Sequence, residues 1–93
     1  MKKEITVEIT QSNNYPWLSG KVYPYTFQAK VFDIGSTYGI KYGRVSKLFI
    51  YDPINGKTVV QYDRGWDIRP NRKLKSVYNS IMAFLENLPT RTI

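Results

Sequence analysis

The residue pattern of this chain alternates with a period of two along most of its length and takes a helical period only near the end. Polar and apolar residues alternate over 4–10 and through most of 23–32. Alternation places every second side chain on the same face, as a half-buried β-strand requires. Together with the apolar-rich stretches 44–51 and 58–62, these segments predict four strands. The third has large apolar residues on both faces, which predicts a central strand or one covered on both sides.

The last third of the chain has a different period. Apolar residues recur at three- and four-residue spacing between Leu74 and Leu88, which indicates an amphipathic helix. Asn71 is predicted to cap its start, and Pro89 bars its continuation. The sequence therefore predicts an α+β fold in a single domain, residues 1–93. A four-stranded, mostly antiparallel sheet is followed by one C-terminal amphipathic helix packed on it.

Glycine, proline and short polar residues separate the predicted strands. The segment 11–20 is predicted to be a loop carrying Trp17, and 34–43 a turn-rich connection. Asn55 and Gly56 form the strongest turn signal in the chain. They predict an antiparallel hairpin between the third and fourth strands.

The composition excludes several classes of chemistry. The chain has 93 residues, a length that allows one hydrophobic core. It contains no Cys and no His. Without Cys there is no disulfide, no thiolate nucleophile and no thiolate-bound metal. Without His, the commonest general base and metal ligand is missing as well. We therefore expect a binding protein rather than an enzyme, with no cofactor.

The hydropathy pattern argues against a membrane protein. No run of 18 apolar residues occurs, and residues 1–5 lead into the first alternating stretch without an apolar leader. These features predict a soluble, cytoplasmic protein.

The formal net charge is +7, and ten of the 14 basic residues follow residue 40. Arg69, Arg72 and Lys73 crowd the predicted helix start, where the N–H groups and the helix dipole favour anions instead. A bound phosphate or carboxylate would make these cations favourable. The alternative is a solvated basic turn whose repulsion is screened by salt.

A second basic group combines cations with aromatic rings. Alternation puts Lys47, Phe49 and Tyr51 on one face of the third strand, and Val45 shares that face. Single-stranded nucleic-acid platforms place cations on phosphates and rings under bases. The alternatives are a solvated face, or an aromatic cluster covered by a second copy of the chain or by residues 11–20. The candidate binding residues are Lys41, Arg44, Lys47, Arg69, Arg72 and Lys73, with Tyr42, Phe49, Tyr51 and Trp66 for stacking or interface contact.

Two acidic residues, Asp63 and Asp67, are separated by three residues, which include Gly65 and Trp66. Together with Asp33 they could ligate Mg²⁺. The structural alternative is a strand exit. Gly65 would permit the turn, Trp66 would cover the core beneath the crossing from sheet to helix, and the carboxylates would accept ion pairs or N–H bonds.

Several strings in the chain resemble a known family, most specifically GRVSKL at 43–48 and YDRGWD at 62–67. They are similar to small phage and prophage proteins of unknown function from Gram-positive bacteria, over about residues 17–68. The resemblance implies a mobile-element origin and a bacterial cytosolic setting. It implies no activity, ligand or catalytic residue, and residues 1–14 fall outside it.

The predicted order of four strands and one helix, in a basic and aromatic chain, is also similar to the single-stranded-DNA-binding coactivator type of fold. Proteins of that type work as dimers with their sheet faces turned to nucleic acid. Three functions are therefore open. The chain could bind an anionic partner such as single-stranded nucleic acid, inhibit a host enzyme or defence system by binding it, or act as a small Asp- and metal-dependent enzyme. The third is least favoured.

Overall fold

A computed structural model describes residues 5–14 and 16–90, which form one antiparallel sheet with a helix on one face. The sheet has six strands in the order β1-β2-β3-β4-β5-β6, so the α+β class is confirmed and the prediction of four strands is wrong. The strands are β1 (Glu8–Asn14), β2 (Trp17–Val22), β3 (Tyr25–Val31), β4 (Val45–Asp52), β5 (Lys57–Asp63) and β6 (Trp66–Ile68). The helix α1 (Lys75–Glu86) follows a 3₁₀ turn (Arg72–Leu74), and a second 3₁₀ turn (Ile40–Tyr42) precedes β4.

The segment 11–20, predicted as a loop, contributes to two strands. β1 is an edge strand whose described polar residues Gln11 and Ser12 are exposed, so the apolar alternation that marks a half-buried strand is absent there. Two register shifts interrupt its pairing with β2. Gly20 reads as a break in the sequence. It lies inside β2, opposite Phe27 of β3. The Phe27 ring occupies the space where a Gly20 side chain would stand, since a Cβ at Gly20 would come within 2.5 Å of this ring.

The core lies between α1 and one face of the sheet. Every second residue of β3 turns toward α1, as the alternation predicts, and Phe27, Ala29 and Val31 are buried. Leu48 and Ile50 of β4 are fully buried beside them. The helix contributes three buried residues at helical spacing, Tyr78, Ile81 and Leu85. Leu74, which ends the preceding 3₁₀ turn, is buried beside them.

A β-bulge at the start of β4 changes which face Val45 occupies. Lys47 of β4 pairs with Lys30 of β3, and the residue of β3 that follows Lys30 pairs with Val45 rather than with Ser46. Ser46 is therefore an extra residue on β4 that has no partner on β3. The extra residue returns Val45 to the helix-facing side, where it is fully buried. The prediction that Val45 shares a face with Phe49 and Tyr51 is therefore wrong.

The hairpin predicted between the third and fourth strands is confirmed as the connection from β4 to β5. Gly56 has the positive φ of +65° that such a turn needs. The carboxylate of Asp52 accepts a hydrogen bond from the Asn55 side chain at 2.7 Å, and also from the backbone N–H groups of Ile54 and Asn55. These bonds, led by the one from the Asn55 side chain, hold the pKa of Asp52 below its usual value.

The helical segment is capped at its start and tied to the sheet at its end. The Asn71 side chain accepts a hydrogen bond from the Leu74 N–H at 3.0 Å and so caps the 3₁₀ turn that leads into α1, whereas α1 itself begins after Leu74 without a side-chain cap. At its end, the Glu86 carboxylate accepts from the Arg44 N–H at 2.9 and 3.0 Å and from the Val45 N–H at 3.3 Å. Gly43 makes this approach possible, since a Cβ there would lie 2.3 Å from Glu86 Oε2.

None of the helices described within residues 5–14 and 16–90 is long and apolar enough to cross a membrane.

Candidate nucleic-acid interface

The sheet face turned away from α1, here called the open face, is covered by no other described element. Its central row runs across four neighbouring strands, because Trp17 pairs with Lys30, Lys30 with Lys47, and Lys47 with Asp63. The Lys47 ammonium lies 5.9 Å from the centre of the Trp17 ring, within the range of a cation–π contact. One row therefore places a large ring and two ammonium groups side by side.

A depression of about 520 Å³ lies next to this row on the open face. Phe49 and Tyr51 of β4 line it, and Lys21 of β2 lies at the same depression. Tyr51 is 42% exposed, and Phe49 is half-buried. The remaining lining residues are Thr10, Ser19, Gly20, Thr26, Phe27, Gln28 and Thr58, which are small or amide-bearing apart from the core residue Phe27. Such a surface offers flat apolar contact with hydrogen-bonding groups around it.

Two carboxylates partly neutralise the cations of the open face. Glu8 lies 3.7 Å from the Lys21 ammonium, and both side chains are largely exposed. Asp63 lies 3.3 Å from the Lys47 ammonium and 3.8 Å from Arg64 Nε. Exposed pairs such as Glu8–Lys21 are worth only about 0–1 kcal/mol, so a polyanion can replace Glu8 at little cost. The Lys47–Asp63 pair is less exposed, since the Lys47 side chain is 25% exposed, and Asp63 is therefore the stronger competitor of a polyanion.

Of the predicted strand group, the structure brings Lys47, Phe49 and Tyr51 together on the open face. Arg44 is used elsewhere. Its guanidinium donates to the backbone carbonyls of Phe32, Glu86 and Leu88. This side chain therefore joins the end of α1 to the strand β4, and we assign it a structural role.

The other predicted residues lie on the helix side of the molecule. Trp66 packs edge-on against Tyr62 at 5.1 Å and against Tyr78 at 5.7 Å between ring centres. It covers the core where the chain crosses from sheet to helix, as the structural alternative predicts. Arg69 lies 5.2 Å above the Trp66 ring. The exposed Arg72 and Lys73 lie in the 3₁₀ turn (Arg72–Leu74) and do not reach the open face.

Lys41 and Tyr42 occupy the 3₁₀ turn (Ile40–Tyr42) and have positive φ angles of 52° and 62°. The Tyr42 ring is 76% exposed. Lys41 meets Arg69 and Lys75 around a cleft of about 180 Å³, here called the basic cleft. The rest of its lining is Ile40, Trp66, Pro70, Tyr78 and Asn79. The predicted cations therefore divide between two separate surfaces.

The acidic pair does not form a metal centre in the part of the chain that is described. Asp63 faces Lys47 and Arg64, whereas Asp67 accepts a hydrogen bond from the Gln61 amide at 3.2 Å. Within residues 5–14 and 16–90, no three acidic side chains are grouped as metal ligands would be. The turn between β5 and β6 also differs from expectation, because Arg64 rather than Gly65 takes the positive φ, 58°.

Three residues of the open face are not among the candidates that the sequence predicts. Trp17 lies in the segment predicted as a loop, Lys21 lies outside the predicted strands, and Lys30 is a polar position of the predicted strand 23–32. Their placement depends on the pairing of β2 with β3, which brings residues 17–22 opposite 25–30. The alternation of buried Leu18, Gly20 and Val22 within 17–22 is the signal that could have identified β2.

Comparisons with known proteins bear on the family alone. No curated protein and no solved structure matched the chain. A family described as a domain of unknown function (DUF7678) matches residues 16–86, a range that begins just before β2 and ends with α1. The chain belongs to this family of unknown function.

Proposed function

We propose that this protein binds single-stranded nucleic acid across the open face and has no catalytic activity. The observation that carries the proposal is the interleaving of rings and cations on one uncovered surface. Trp17 and Phe49 provide the rings, and Lys47 lies beside Trp17. Base–aromatic stacking tolerates any sequence because every base has a π-face. The protein is therefore expected to bind with little sequence preference.

The charges of the open face set the expected salt dependence. Four cations lie on or beside the face, and these are Lys21, Lys30, Lys47 and Arg64. If each neutralises one phosphate of a single strand, the logarithm of the binding constant falls with the logarithm of salt concentration with a slope of about −3. Stacking on Phe49 adds about 1–3 kcal/mol, which corresponds to a factor of about 5–150 in affinity.

Asp63 should oppose binding, because it pairs with two of the four cations and repels phosphate. Replacing Asp63 with Asn keeps the shape and removes the charge. We expect the D63N variant to bind single-stranded DNA more tightly than the parent, by about 2- to 10-fold at low salt. A protein partner held by apolar contact would show no such gain.

The experiment is a fluorescence-anisotropy titration of a labelled 20-nucleotide single strand at several salt concentrations. Phe49→Ala is compared with Phe84→Ala, which removes an exposed ring of α1. Lys47→Gln is compared with Lys73→Gln, which removes the same charge on the helix side. The proposal expects large losses for the open-face variants and small ones for their controls. Equal losses within each pair would mean attraction by net charge alone.

Binding no tighter than about 10⁻⁴ to 10⁻⁶ M at physiological salt is the non-specific level and would overturn the proposal. The result would favour the alternative function, in which the same depression captures a host enzyme or a defence protein. The fold similarity to the coactivator type lends no support, because it assumed four strands. A phage or prophage origin in Gram-positive bacteria and a cytoplasmic setting are part of the proposal and are supported by the sequence resemblance.

A further inference from the structure

The basic cleft on the helix side is a separate feature that nucleic-acid binding on the open face does not use. Its wall on one side is the 3₁₀ turn (Ile40–Tyr42), and on the other it is the first turn of α1. Trp66 of β6 and Pro70, from the connection between β6 and the helix, complete it. The cleft therefore joins residues 40–41 to residues 66–79, two parts of the chain that are distant in the sequence and meet only in the folded chain.

Three cations line this cleft, and among the described residues no acidic side chain lies within salt-bridge distance of Lys41, Arg69 or Lys75. Glu86 lines a neighbouring depression with Lys41, but its carboxylate accepts hydrogen bonds from backbone N–H groups instead. The Arg69 guanidinium is placed by its contact with the Trp66 ring, 5.2 Å away. Like charges gathered around one cleft repel one another, so the arrangement favours an anion between them.

The Tyr78 side chain also lines the cleft. The residue is only 6% exposed, and its hydroxyl has no hydrogen-bond partner within the described chain. Because none of the described residues has a side-chain oxygen or nitrogen that is both sealed from solvent and unpaired, the hydroxyl oxygen retains contact with solvent. Burial raises the pKa of Tyr78, so the group remains a neutral hydrogen-bond donor at physiological pH.

The turn that carries Lys41 is fixed before any ligand arrives. The Tyr42 N–H donates to the Gly39 carbonyl at 3.0 Å, and the Gly43 N–H donates to the Ile40 carbonyl at 2.9 Å. Gly39 is close-packed, since a Cβ there would overlap the Gly43 carbonyl oxygen. The Lys41 backbone is therefore held at the cleft at no further conformational cost to binding.

We propose that the basic cleft binds the terminal phosphate of a phosphate monoester, as found on a mononucleotide or at the 5′ end of a strand. A terminal phosphate carries nearly two negative charges and three acceptor oxygens at neutral pH. The guanidinium, the two ammonium groups and the phenol supply matching donors. A cavity of about 180 Å³ accommodates the phosphate group. This site is independent of the open face.

Trp66 lines the cleft, so its fluorescence should change when a ligand binds there. The chain has two Trp residues, and Trp17 lies on the open face. A Trp17→Phe variant therefore leaves Trp66 as the fluorescent reporter. Inorganic phosphate, adenosine monophosphate, adenosine, and a dinucleotide with or without a 5′-phosphate are titrated separately at constant ionic strength. Calorimetry repeats each titration, because changes at Arg69 also alter the surroundings of the indole.

We expect saturable binding of the phosphate-bearing ligands and none of adenosine or the unphosphorylated dinucleotide. The relative affinities of monophosphate and phosphorylated dinucleotide distinguish a mononucleotide site from a strand-end site. Arg69→Gln and Tyr78→Phe should each weaken binding, the former by about ten-fold or more. Arg72→Gln, which removes a nearby charge outside the cleft, should change it less than two-fold. Absence of saturation, or equal losses for Arg69→Gln and Arg72→Gln, would overturn the proposal.

Discussion

Replacing Glu86 with Ala should be among the most destabilising single changes in this chain. The carboxylate accepts hydrogen bonds from two backbone N–H groups, those of Arg44 and Val45, at 2.9–3.3 Å. Hydrogen bonds to a charged group contribute about 1.5–3 kcal/mol each, and losing this acceptor leaves both donors unpaired in a partly buried position. We therefore expect a loss of about 3–5 kcal/mol in the free energy of unfolding, out of a typical total of about 5–15 kcal/mol.

Urea unfolding followed by circular dichroism measures this effect. With a slope of about 1.5 kcal/mol/M, the midpoint should fall by about 2–3 M in Glu86→Ala. Glu8→Ala is the matched control, because Glu8 makes only an exposed ion pair with Lys21 and should cost less than about 1 kcal/mol. If the two variants have equal midpoints, the Glu86 contacts do not hold the helix end to the sheet.

Three further predictions concern stability. Gly20→Ala should cost about 1–3 kcal/mol by overpacking against Phe27, and an unchanged melting temperature would contradict the close contact. Because hydrogen bonding from Asn55 lowers the pKa of Asp52, the ionised Asp52 carboxylate should stabilise the fold fully above about pH 4, and this stabilisation should be lost as the pH falls through the lowered pKa. In urea titrations at acid pH, the Asp52→Asn variant should therefore lose stability less steeply than the parent. Because burial raises the pKa of Tyr78, the neutral phenol should contribute fully to the stability of the fold below about pH 10, and this contribution should be lost as the pH rises through the raised pKa. Above about pH 10, the Tyr78→Phe variant should lose stability less steeply than the parent.

The parts of the fold that follow from local periodicity could be predicted from the sequence. β3 and α1 each bury one face, so their patterns identify both the element and its buried side. The alternation over 4–10 identifies only the start of β1, at residues 8–10, and residues 5–7 are not in a strand. The rest of this edge strand could not be recognised in this way, because its exposed polar residues Gln11 and Ser12 do not alternate with apolar ones. β6 has only three residues, too few for a period to be visible.

The candidate site was predictable only along one strand. Lys47, Phe49 and Tyr51 follow from alternation within β4, but Trp17 joins them through strand pairing, which is a non-local property. Arg44 illustrates the opposite case. Nothing in its local sequence distinguishes it from a phosphate-binding cation, and its role is set by carbonyl groups more than 40 positions away at the end of α1 and by the Phe32 carbonyl.

The most direct test of the central claim is an amide chemical-shift titration of the isotopically labelled protein with a 20-nucleotide single strand at physiological salt. Nucleic-acid binding on the open face predicts the largest shifts in the strands β2, β3 and β4, centred on Trp17, Lys47 and Phe49, and small shifts in the second half of α1. Shifts confined to the helix side, or no shifts at that salt concentration, would contradict it.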